Sequence, residues 1–556
     1  MSFVFRSFLP LHNLIGFGAG DYVELALAGL LVGLVVTHAR LAEHARRLAA
    51  CTGLCMLILA ILPVVLRLAL LPQSPVPTPS GSDDFAHLLA ADTLLHFRLA
   101  NPPHPLHEFF ETVFVLQEPS YSSIFPIGQS LMLAIGGMFG QPWVGVVLSV
   151  ALLCALCYWM LRAWVTPGWA LLGGFLAVIE FGPLRYWMNT YWGGAAAAIG
   201  GCLVFGSLPR LRTEGRVRDA ALLGAGLCIE LLARPFESVL LLAAVALYLP
   251  MIRNRLLKAA PVVVLAVLPA VGLTLLQNKQ ATGSWTALPY VLSRYQYGVP
   301  ATFTFQPNPT PHRELTTDQQ LDYDAQKAMH DQAGTYWERL ATRARFYRFY
   351  FLAPLYLALP FFLLSLREFR FIWVALTLLI FVLGTNFYPY FYPHYVAAVT
   401  CLFVLVSIVG LERLSRLTLR GHPAGQEAAA MIIVLCLAQF IFWYGFHLFA
   451  NTNESIAMRQ YETWDFVNHG DPGGRIAINN RLAQAPGKQL VLVHYWPRHL
   501  FDEWVHNAAA IDQARVVWAL DRGADENEKL LHYYSDRTAW LLEPDARPPR
   551  LTPYQP

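Results

Sequence analysis

Long uninterrupted apolar runs are the feature that most constrains how this chain folds. A lipid-crossing helix needs about 20 mostly apolar residues, and about a dozen stretches meet that need. They lie at roughly 20–37, 49–71, 142–161, 167–183, 193–209, 219–233, 237–251, 258–276, 347–365, 371–386, 396–411 and 428–449. Only 14% of the 556 residues are charged, against about 25% in soluble proteins. The sequence therefore predicts a polytopic, all-α membrane protein.

Short basic clusters between these runs predict the orientation, because positively charged loops stay cytoplasmic. The clusters contain Arg40, Arg46, Arg47, Arg210, Arg212, Arg216, Arg218, Arg253, Arg255, Lys258, Arg367, Arg370, Arg413, Arg416 and Arg420. Each follows an odd-numbered run, so odd spans run inward and both termini lie outside. The apolar stretch 126–139 is too short to cross and is expected to be an interfacial or re-entrant helix. Three polar segments then share the outer face: 72–141, 277–346 and the residues after 450.

The last of these segments, 450–556, predicts a small extracytoplasmic α/β domain that follows a membrane module over 1–449. Three short apolar stretches of strand type are QLVLVHYW from Gln489, ARVVWAL from Ala514 and TAWLLEP from Thr538. ENEKLLHYYSD has helical spacing and lies between the second and third stretches. A strand, a helix and a strand favour a parallel pair with a crossover connection. No glycine-rich phosphate fingerprint opens that helix, so a nucleotide site has no support there.

Two adjacent carboxylates, Asp83 and Asp84, begin the first outer segment directly after a proline-rich exit from the second apolar run. Carboxylates at a membrane boundary are costly to desolvate, and they can hold a divalent cation such as Mg²⁺ or Mn²⁺ or act as a base toward an alcohol. The alternative is that one of them caps the helix predicted over AHLLAADTLLHFRLA. Polar side chains along the same segment extend the cluster: His87, His96, His104, His107, Glu108, Glu111 and Glu118. Zinc is disfavoured, because these histidines lack ligand spacing.

Several motifs carry a family resemblance over nearly the whole chain. They are SDDFAHLLAADTLLHFRLANPPHP, EPSYSSIFPIGQSL, RYWMNTYWGG, ARPFES, YQYG and PHY. With an acidic pair outside an early span and an extracytoplasmic C-terminal domain, the chain resembles the GT-C superfamily of polyprenyl-phosphate-sugar-dependent glycosyltransferases. It is most similar to the bacterial ArnT-like and protein mannosyltransferase-like members. The resemblance implies a GT-C-type bundle of about 12 transmembrane helices.

The resemblance also implies a reaction and its residues. A sugar would move with inversion from a polyprenyl phosphate to a cell-envelope lipid, glycan or protein, on the outer face of a bacterial inner membrane. Asp83 would act on the acceptor hydroxyl, with Asp84 as the alternative. Basic residues near the outer boundary would neutralise the donor phosphate: Arg185, Arg234, Arg294, Arg348 and His394. Members of the group often carry a lysine ahead of the proline pair in the first loop, whereas this chain has Ile124 and Phe125 before Pro126.

Flat amphipathic rings on the outer side are candidates for sugar binding, because C–H faces of sugars pack on π faces. They include Tyr191, Trp192, Tyr295, Tyr297 and Tyr395, together with the polar candidates His87, His104 and Glu118. Interfacial anchoring is the alternative for the rings. A structural pair with Glu237 is the alternative for Arg234. Membrane lipids are the remaining partners, and no nucleic acid is expected, because the arginines lie in short clusters between apolar runs rather than on one continuous face.

Two other classes of protein fit the same spans. A transporter or flippase of lipid-linked glycans would need many spans and outer aromatic residues, but it should show inverted repeats, and no convincing internal repeat is present. A scaffold that recruits partners through its C-terminal domain has no need of the acidic pair beside a first loop of about 70 residues. The glycosyltransferase is therefore the favoured reading.

Overall fold

A computed structural model describes residues 26–27, 29–31, 47–449, 471, 473–499 and 501–555. The first predicted span, 20–37, and the start of the C-terminal segment lie mostly outside these residues. Ten of the other predicted spans correspond to α-helices.

The part of the chain up to residue 449 is almost entirely helical. Its helices are α1 Thr52–Ala69, α2 Ser82–Leu95, α3 Ile127–Gly137, α4 Pro142–Leu161, α5 Pro167–Phe181, α6 Ala195–Thr213, α7 Val217–Ala233, α8 Pro235–Tyr248, α9 Arg253–Thr282, α10 Pro289–Tyr297, α11 Thr317–Asp331, α12 Tyr336–Tyr347, α13 Phe369–Thr385, α14 Thr400–Ser415 and α15 Ala424–Phe449. Single turns occur at His107–Phe109, Tyr186–Asn189, Leu249–Ile252 and Pro393–Val399. A two-residue antiparallel pair, β1 Val115–Leu116 and β2 Ser122–Ser123, lies in the first outer segment.

Five helical segments of the described chain are long and apolar enough to cross a membrane, as in an integral membrane protein. One of them, Pro235–Thr282, contains both α8 and α9. The count of twelve spans stays a prediction. Helix α3 has 11 residues and is thus about 16 Å long, half the thickness of a bilayer core, which agrees with the expectation that it does not cross.

The predicted span 347–365 is wrong as an α-helix. Three short 3₁₀ segments, Arg348–Tyr350, Ala353–Leu357 and Leu359–Ser365, take its place. Pro354 and Pro360 each lie in the first turn of a 3₁₀ segment, where a missing N–H costs no hydrogen bond. Proline alone does not explain the break, because α9 continues as one helix through Pro261 and Pro269.

The C-terminal part contains a four-stranded sheet with strand order β4-β3-β5-β6. Its elements are α16 Arg475–Gln484, β3 Lys488–Val493, the 3₁₀ turn Ile511–Gln513, β4 Val516–Leu520, α17 Ala524–Tyr533, β5 Arg537–Glu543 and β6 Arg550–Pro553. Strands β4 and β5 both pair in parallel with β3, and β6 pairs antiparallel with β5. The three predicted strands and the predicted helix are thus present. Helix α17 connects strands on either side of β3, and β6 is an additional edge strand.

One hydrophobic cluster joins this sheet to the first outer segment. Leu89 of α2, Phe110 and Tyr121 pack in the same core as Leu490 and Val517 of the sheet. Because the core is shared, the C-terminal unit holds α2 in place. The domain boundary near 450 stays a prediction.

Candidate functional site

Helix α2 begins at Ser82, and the acidic pair forms its second and third residues, in the first turn. The N-terminus of a helix favours negative charge, but burial opposes it. Burial raises the pKa of Asp83 to about 7 and that of Asp84 to about 6. Gly81 occupies the N-cap, and no side chain caps the helix there.

Asp84 is a structural acid. Its Oδ1 accepts a hydrogen bond from the backbone N–H of Tyr191 at 3.0 Å, and its Oδ2 accepts one from that of Ser80 at 3.3 Å. These bonds favour the ionised form and offset part of the effect of burial on the pKa. Asp84 therefore joins the start of α2 to the loop between α5 and α6, and both of its oxygens are occupied.

Asp83 is the chemically available acid of the pair. It is half-buried, and its carboxylate makes no hydrogen bond or ion pair with another side chain in the described part of the protein. After burial, the negative charges of Asp84 and Asp322 raise its pKa, while Arg234 lowers it. A carboxyl that titrates near neutrality and has free lone pairs is suited to accept a proton.

A fully buried arginine positions the segment that leads to the pair. Arg67, in the last turn of α1, donates to Asn189 Oδ1 at 2.8 Å and to the carbonyl oxygens of Ser74 and Pro75 at 3.0 Å each. The Tyr191 hydroxyl donates to the carbonyl of Pro77 further along the same segment. Arg67 was not predicted as a site residue from the sequence, although a lone arginine at the end of an apolar helix often indicates one.

Arg234 lies where α7 ends and α8 begins, and its positive charge acts on Asp83, whereas that of Arg475 acts on Asp84. Its guanidinium lies 5.5 Å from the ring centre of Tyr395 and donates no hydrogen bond among the described residues. Glu237 interacts with it electrostatically but accepts its own hydrogen bond from the Tyr388 hydroxyl at 3.3 Å. Arg234 and Glu237 therefore interact through their charges, as the structural alternative expected, but they share no hydrogen bond, so the N–H donors of Arg234 remain available.

Aromatic and imidazole rings surround Arg234. His87 of α2 stacks on Phe125, and its Nδ1 lies 3.3 Å from Ser130 Oγ. Burial, and then the charge of Arg234, lower the pKa of His87 to about 3, so this imidazole is neutral. His394 lies 5.0 Å from Trp192 and 4.7 Å from Tyr395, centre to centre, and its Nδ1 is buried without a hydrogen-bond partner in the described chain. Further tyrosines interact electrostatically with Asp83 or Arg234: Tyr186, Tyr290, Tyr388, Tyr390 and Tyr392.

A glycine lets the His394 segment approach α6. A Cβ on Gly201 would lie 1.8 Å from the carbonyl oxygen of Ala398, so no larger residue fits without moving the backbone. The turn Pro393–Val399 therefore packs directly on α6, with His394 and Tyr395 toward the site.

Three other basic residues were candidates for the donor phosphate. Arg294 donates to the carbonyl oxygens of Pro300 and Ala301 at 2.9 Å, which holds the loop after α10. It also lies near the site, because Arg294 and Asp83 both interact electrostatically with Tyr290 and Tyr390. Arg185 forms an ion pair with Glu180 at 3.3 Å. Arg348 lies in the 3₁₀ segment after α12, where its carbonyl oxygen accepts a hydrogen bond from the Tyr356 hydroxyl at 2.8 Å.

The candidates for substrate binding divide into two groups. Near the acidic pair lie His87, Tyr191, Trp192 and Tyr395. His104 lies at the junction with the C-terminal unit, 3.1 Å from Asp512. Glu118 pairs with Arg313 at 3.3 Å, and the same arginine contacts the Tyr297 hydroxyl. The exposed Tyr295 stacks on His312.

A small, open cleft lies where the two outer segments meet the C-terminal unit. It is lined by Ser82, Val113, Asp318, Asp322, Tyr495, His499, Phe501, Asp502 and Glu503. Burial raises the pKa of Asp318 to about 6 and that of Asp322 to about 7. Ser82, which directly precedes Asp83, lines the cleft, and the negative charge of Asp322 acts on Asp83. Neither Asp318 nor Asp322 was predicted from the sequence, because these residues of α11 approach the first outer segment only in the folded chain.

The acidic pair fits a divalent metal poorly. Both oxygens of Asp84 already accept backbone N–H groups, which leaves one free carboxylate. Within the described ranges, no group of three or more His, Cys, Asp or Glu side chains is arranged to hold a metal ion. Mg²⁺ and Ca²⁺ sites normally need several oxygen ligands.

The fold matches that of solved membrane proteins. ArnT from Cupriavidus metallidurans bound to undecaprenyl phosphate superposes with a TM-score of 0.53 at 13% identity, over 88% of this chain and 93% of that chain. Its apo form gives a TM-score of 0.50 at 12% identity, over 89% and 93% of the two chains. The oligosaccharyltransferase of Archaeoglobus fulgidus is more distant, with a TM-score of 0.44 at 12% identity over 88% of this chain and 67% of that chain. No protein-family model and no curated protein matches the sequence.

Proposed function

Since this chain has the fold of ArnT, the GT-C fold expected from its motifs, we propose that it is a GT-C-type glycosyltransferase. Its donor is a sugar on a polyprenyl phosphate, and its acceptor is a lipid, glycan or protein of the cell envelope. The ArnT structure with undecaprenyl phosphate supports a lipid-linked donor of this class.

One observation supports the proposal most directly. The carboxylate of Asp83 and the guanidinium of Arg234 interact electrostatically. Asp83 accepts no hydrogen bond from another residue, and the guanidinium of Arg234 donates none, in the described part of the chain. Both groups are partly buried, so a charge that lacks hydrogen-bond partners is costly there. Such a pair is suited to a substrate that supplies a hydroxyl on one side and a phosphate on the other.

The proposed reaction is a single displacement at the anomeric carbon. The Asp83 carboxylate accepts the proton of the acceptor hydroxyl, and the acceptor oxygen forms a bond to C1 of the sugar. The bond between C1 and the phosphate oxygen breaks on the opposite face, and polyprenyl phosphate leaves with the electron pair. Arg234 stabilises the negative charge that develops on this phosphate.

The rings around Arg234 are proposed to bind the donor sugar and its phosphate. Tyr395 and Trp192 offer flat faces to the sugar, and His394 carries a buried nitrogen that no described residue contacts by a hydrogen bond. His87, kept neutral by burial, can exchange hydrogen bonds without adding charge. Tyr191 and Asp84 are proposed to hold the backbone next to these groups, through the hydrogen bond between the Tyr191 N–H and the Asp84 carboxylate.

We place the enzyme in the bacterial inner membrane with this site on the periplasmic side, from the distribution of basic residues. The basic loops meet at one end of the bundle: a Cβ on Gly215 would lie 2.9 Å from the side chain of Arg255, and Arg413 pairs with Glu368. The chemistry proposed here needs no metal.

The test separates the enzyme from the transporter. The purified chain is placed in liposomes with undecaprenyl phosphate that carries a radiolabelled sugar, and envelope extract is added as the acceptor. The proposal expects that the label leaves the lipid and appears in the extract, while liposomes without protein show no release. Label that crosses the bilayer but stays on undecaprenyl phosphate would instead establish a flippase.

A further inference from the structure

Two glutamates balance the charge of Arg234 without forming a hydrogen bond to its guanidinium. Glu230 lies one turn before Arg234 at the end of α7, and Glu237 lies in the first turn of α8. Both are buried, and both interact electrostatically with Arg234. A buried carboxylate beside a guanidinium gains most from a direct hydrogen bond, so the separation of these groups requires a cause.

Glu230 is held away from Arg234 by its packing on α6. It is fully buried, and a Cβ on Gly200 would lie 3.3 Å from Glu230 Oε2. Its carboxylate therefore occupies the space that this glycine leaves between α6 and α7. Neither of its oxygens has a hydrogen-bond partner in the described chain, so the direction of this side chain follows from helix packing.

Glu237 is held away from Arg234 by a hydrogen bond. The Tyr388 hydroxyl donates to Glu237 Oε1 at 3.3 Å, and Glu237 is only 2% exposed. Neighbouring rings fix the position of this hydroxyl. The Tyr388 ring stacks on Tyr395 at 4.4 Å and meets Phe236 edge-on at 5.5 Å, centre to centre. The packed ring therefore determines where the hydroxyl lies, and the hydroxyl determines where the Glu237 carboxylate lies.

A second arginine fixes the loop that carries Tyr388. Arg343 of α12 donates to the carbonyl oxygens of Thr385 at 2.8 Å and Tyr390 at 3.1 Å, and also to that of Tyr388. It donates as well to Asn386 Oδ1 at 3.3 Å. The second outer segment thus sets the position of the Tyr388 hydroxyl relative to α8.

We propose that Tyr388 is a positioning residue whose hydroxyl holds Glu237 so that this acid balances the charge of Arg234 but leaves its N–H donors to the donor phosphate. The inference rests on the proposed glycosyltransferase function and deepens it. A buried carboxylate that loses its hydrogen bond takes another donor within reach. Without the hydroxyl, Glu237 turns to the guanidinium of Arg234 and competes with the phosphate for it.

Binding of undecaprenyl phosphate without turnover tests the proposal. Its dissociation constant is measured by native mass spectrometry of the full chain in detergent micelles. Tyr388→Phe keeps the ring and its packing, so it tests the hydroxyl alone, and we expect it to raise the dissociation constant about tenfold, the scale of one charge-assisted hydrogen bond. Tyr444→Phe in α15 loses a comparable hydroxyl bond, to the carbonyl of Leu66 at 2.9 Å, and should leave the dissociation constant unchanged.

Two double variants test whether Tyr388 acts through Glu237 and Arg234. In a Glu237→Gln background no carboxylate competes for the guanidinium, so adding Tyr388→Phe should change the dissociation constant by no more than about twofold. In an Arg234→Gln background, adding Tyr388→Phe should likewise have no further effect. A merely structural role of the hydroxyl would weaken binding equally in every background. A tenfold loss that persists with Glu237→Gln would therefore overturn the inference.

The wild type separates a failure of this inference from a failure of the proposed function. If the wild type does not bind undecaprenyl phosphate, the proposed donor is wrong and the inference is wrong with it. If the wild type binds and Tyr388→Phe binds equally well, the inference alone is overturned.

Discussion

The pH dependence of transfer tests the role of Asp83. Burial, Asp84 and Asp322 raise its pKa to about 7, so the ionised base is present above that pH and is lost as the pH falls through it. With this pKa, roughly one tenth of Asp83 is ionised at pH 6 and roughly nine tenths at pH 8, so kcat should rise about tenfold over this interval.

Asp322→Asn should lower the midpoint, because it removes a carboxylate whose negative charge raises the pKa of Asp83. The effect should be greatest above pH 7, because Asp322, whose own pKa is raised to about 7, is itself protonated at lower pH. The assay is the initial rate of label transfer between about pH 5 and 9, at saturating acceptor so that kcat is measured. Asp324→Asn should leave the midpoint unchanged. A flat profile between pH 5 and 8, or a midpoint that does not respond to Asp322→Asn, would refute the assignment of Asp83 as the base.

Three further substitutions test the surroundings of the site. Arg234→Gln should weaken undecaprenyl phosphate binding by tenfold or more, the cost of about one charged hydrogen bond, whereas the exposed Arg98→Gln should not; equal affinities would exclude Arg234 as the phosphate ligand. Arg67→Met leaves three buried acceptors unpaired and should cost about 3 kcal/mol or more, seen as a lower midpoint in thermal unfolding; an unchanged midpoint would contradict its role in the fold. Gly201→Ala should impair donor binding because its Cβ would overlap a facing carbonyl, while Gly272→Ala, with open space around it, is the matched control, and equal binding by both variants would count against the close approach.

Local patterns in the sequence predicted the regular elements well. Helix α4 has the predicted bounds, and the strand-type runs near Gln489, Ala514 and Thr538 are all strands of one sheet. Apolar runs and β-branched stretches report on local burial, which is a property of a short window. The segment 347–365 departed from this pattern: it forms three 3₁₀ segments, two of which have a proline in their first turn.

Contacts between distant segments could not be read from the sequence. Asp83 and Asp84 are adjacent and chemically alike, and they differ because the backbone amides of Ser80 and Tyr191 donate hydrogen bonds to Asp84 alone. Asp322 approaches Asp83 across more than 230 residues, and His104 joins the C-terminal unit rather than the site. These roles follow from packing, for which neighbouring residues gave no signal.

The C-terminal unit helps to position α2 through the hydrophobic core that they share and through two hydrogen bonds. The backbone N–H of Glu503 donates to the carbonyl of Ser80 at 2.8 Å, and that of Ala509 donates to Asp92 at 2.7 Å. The C-terminal unit therefore contacts the chain at both ends of α2. Although it lies far from the acidic pair in sequence, it forms one wall of the cleft beside Asp83.

The most direct test of the account compares Asp83→Asn with Asp84→Asn in the labelled transfer assay, with donor binding and thermal unfolding measured on the same preparations. The account predicts that Asp83→Asn binds undecaprenyl phosphate and unfolds like the wild type but transfers sugar about 10² to 10⁴ times more slowly, the usual contribution of a general base. Asp84→Asn should mainly lower the unfolding midpoint, because it loses one of two hydrogen bonds to the backbone. Transfer by Asp83→Asn within threefold of the wild-type rate would contradict the account.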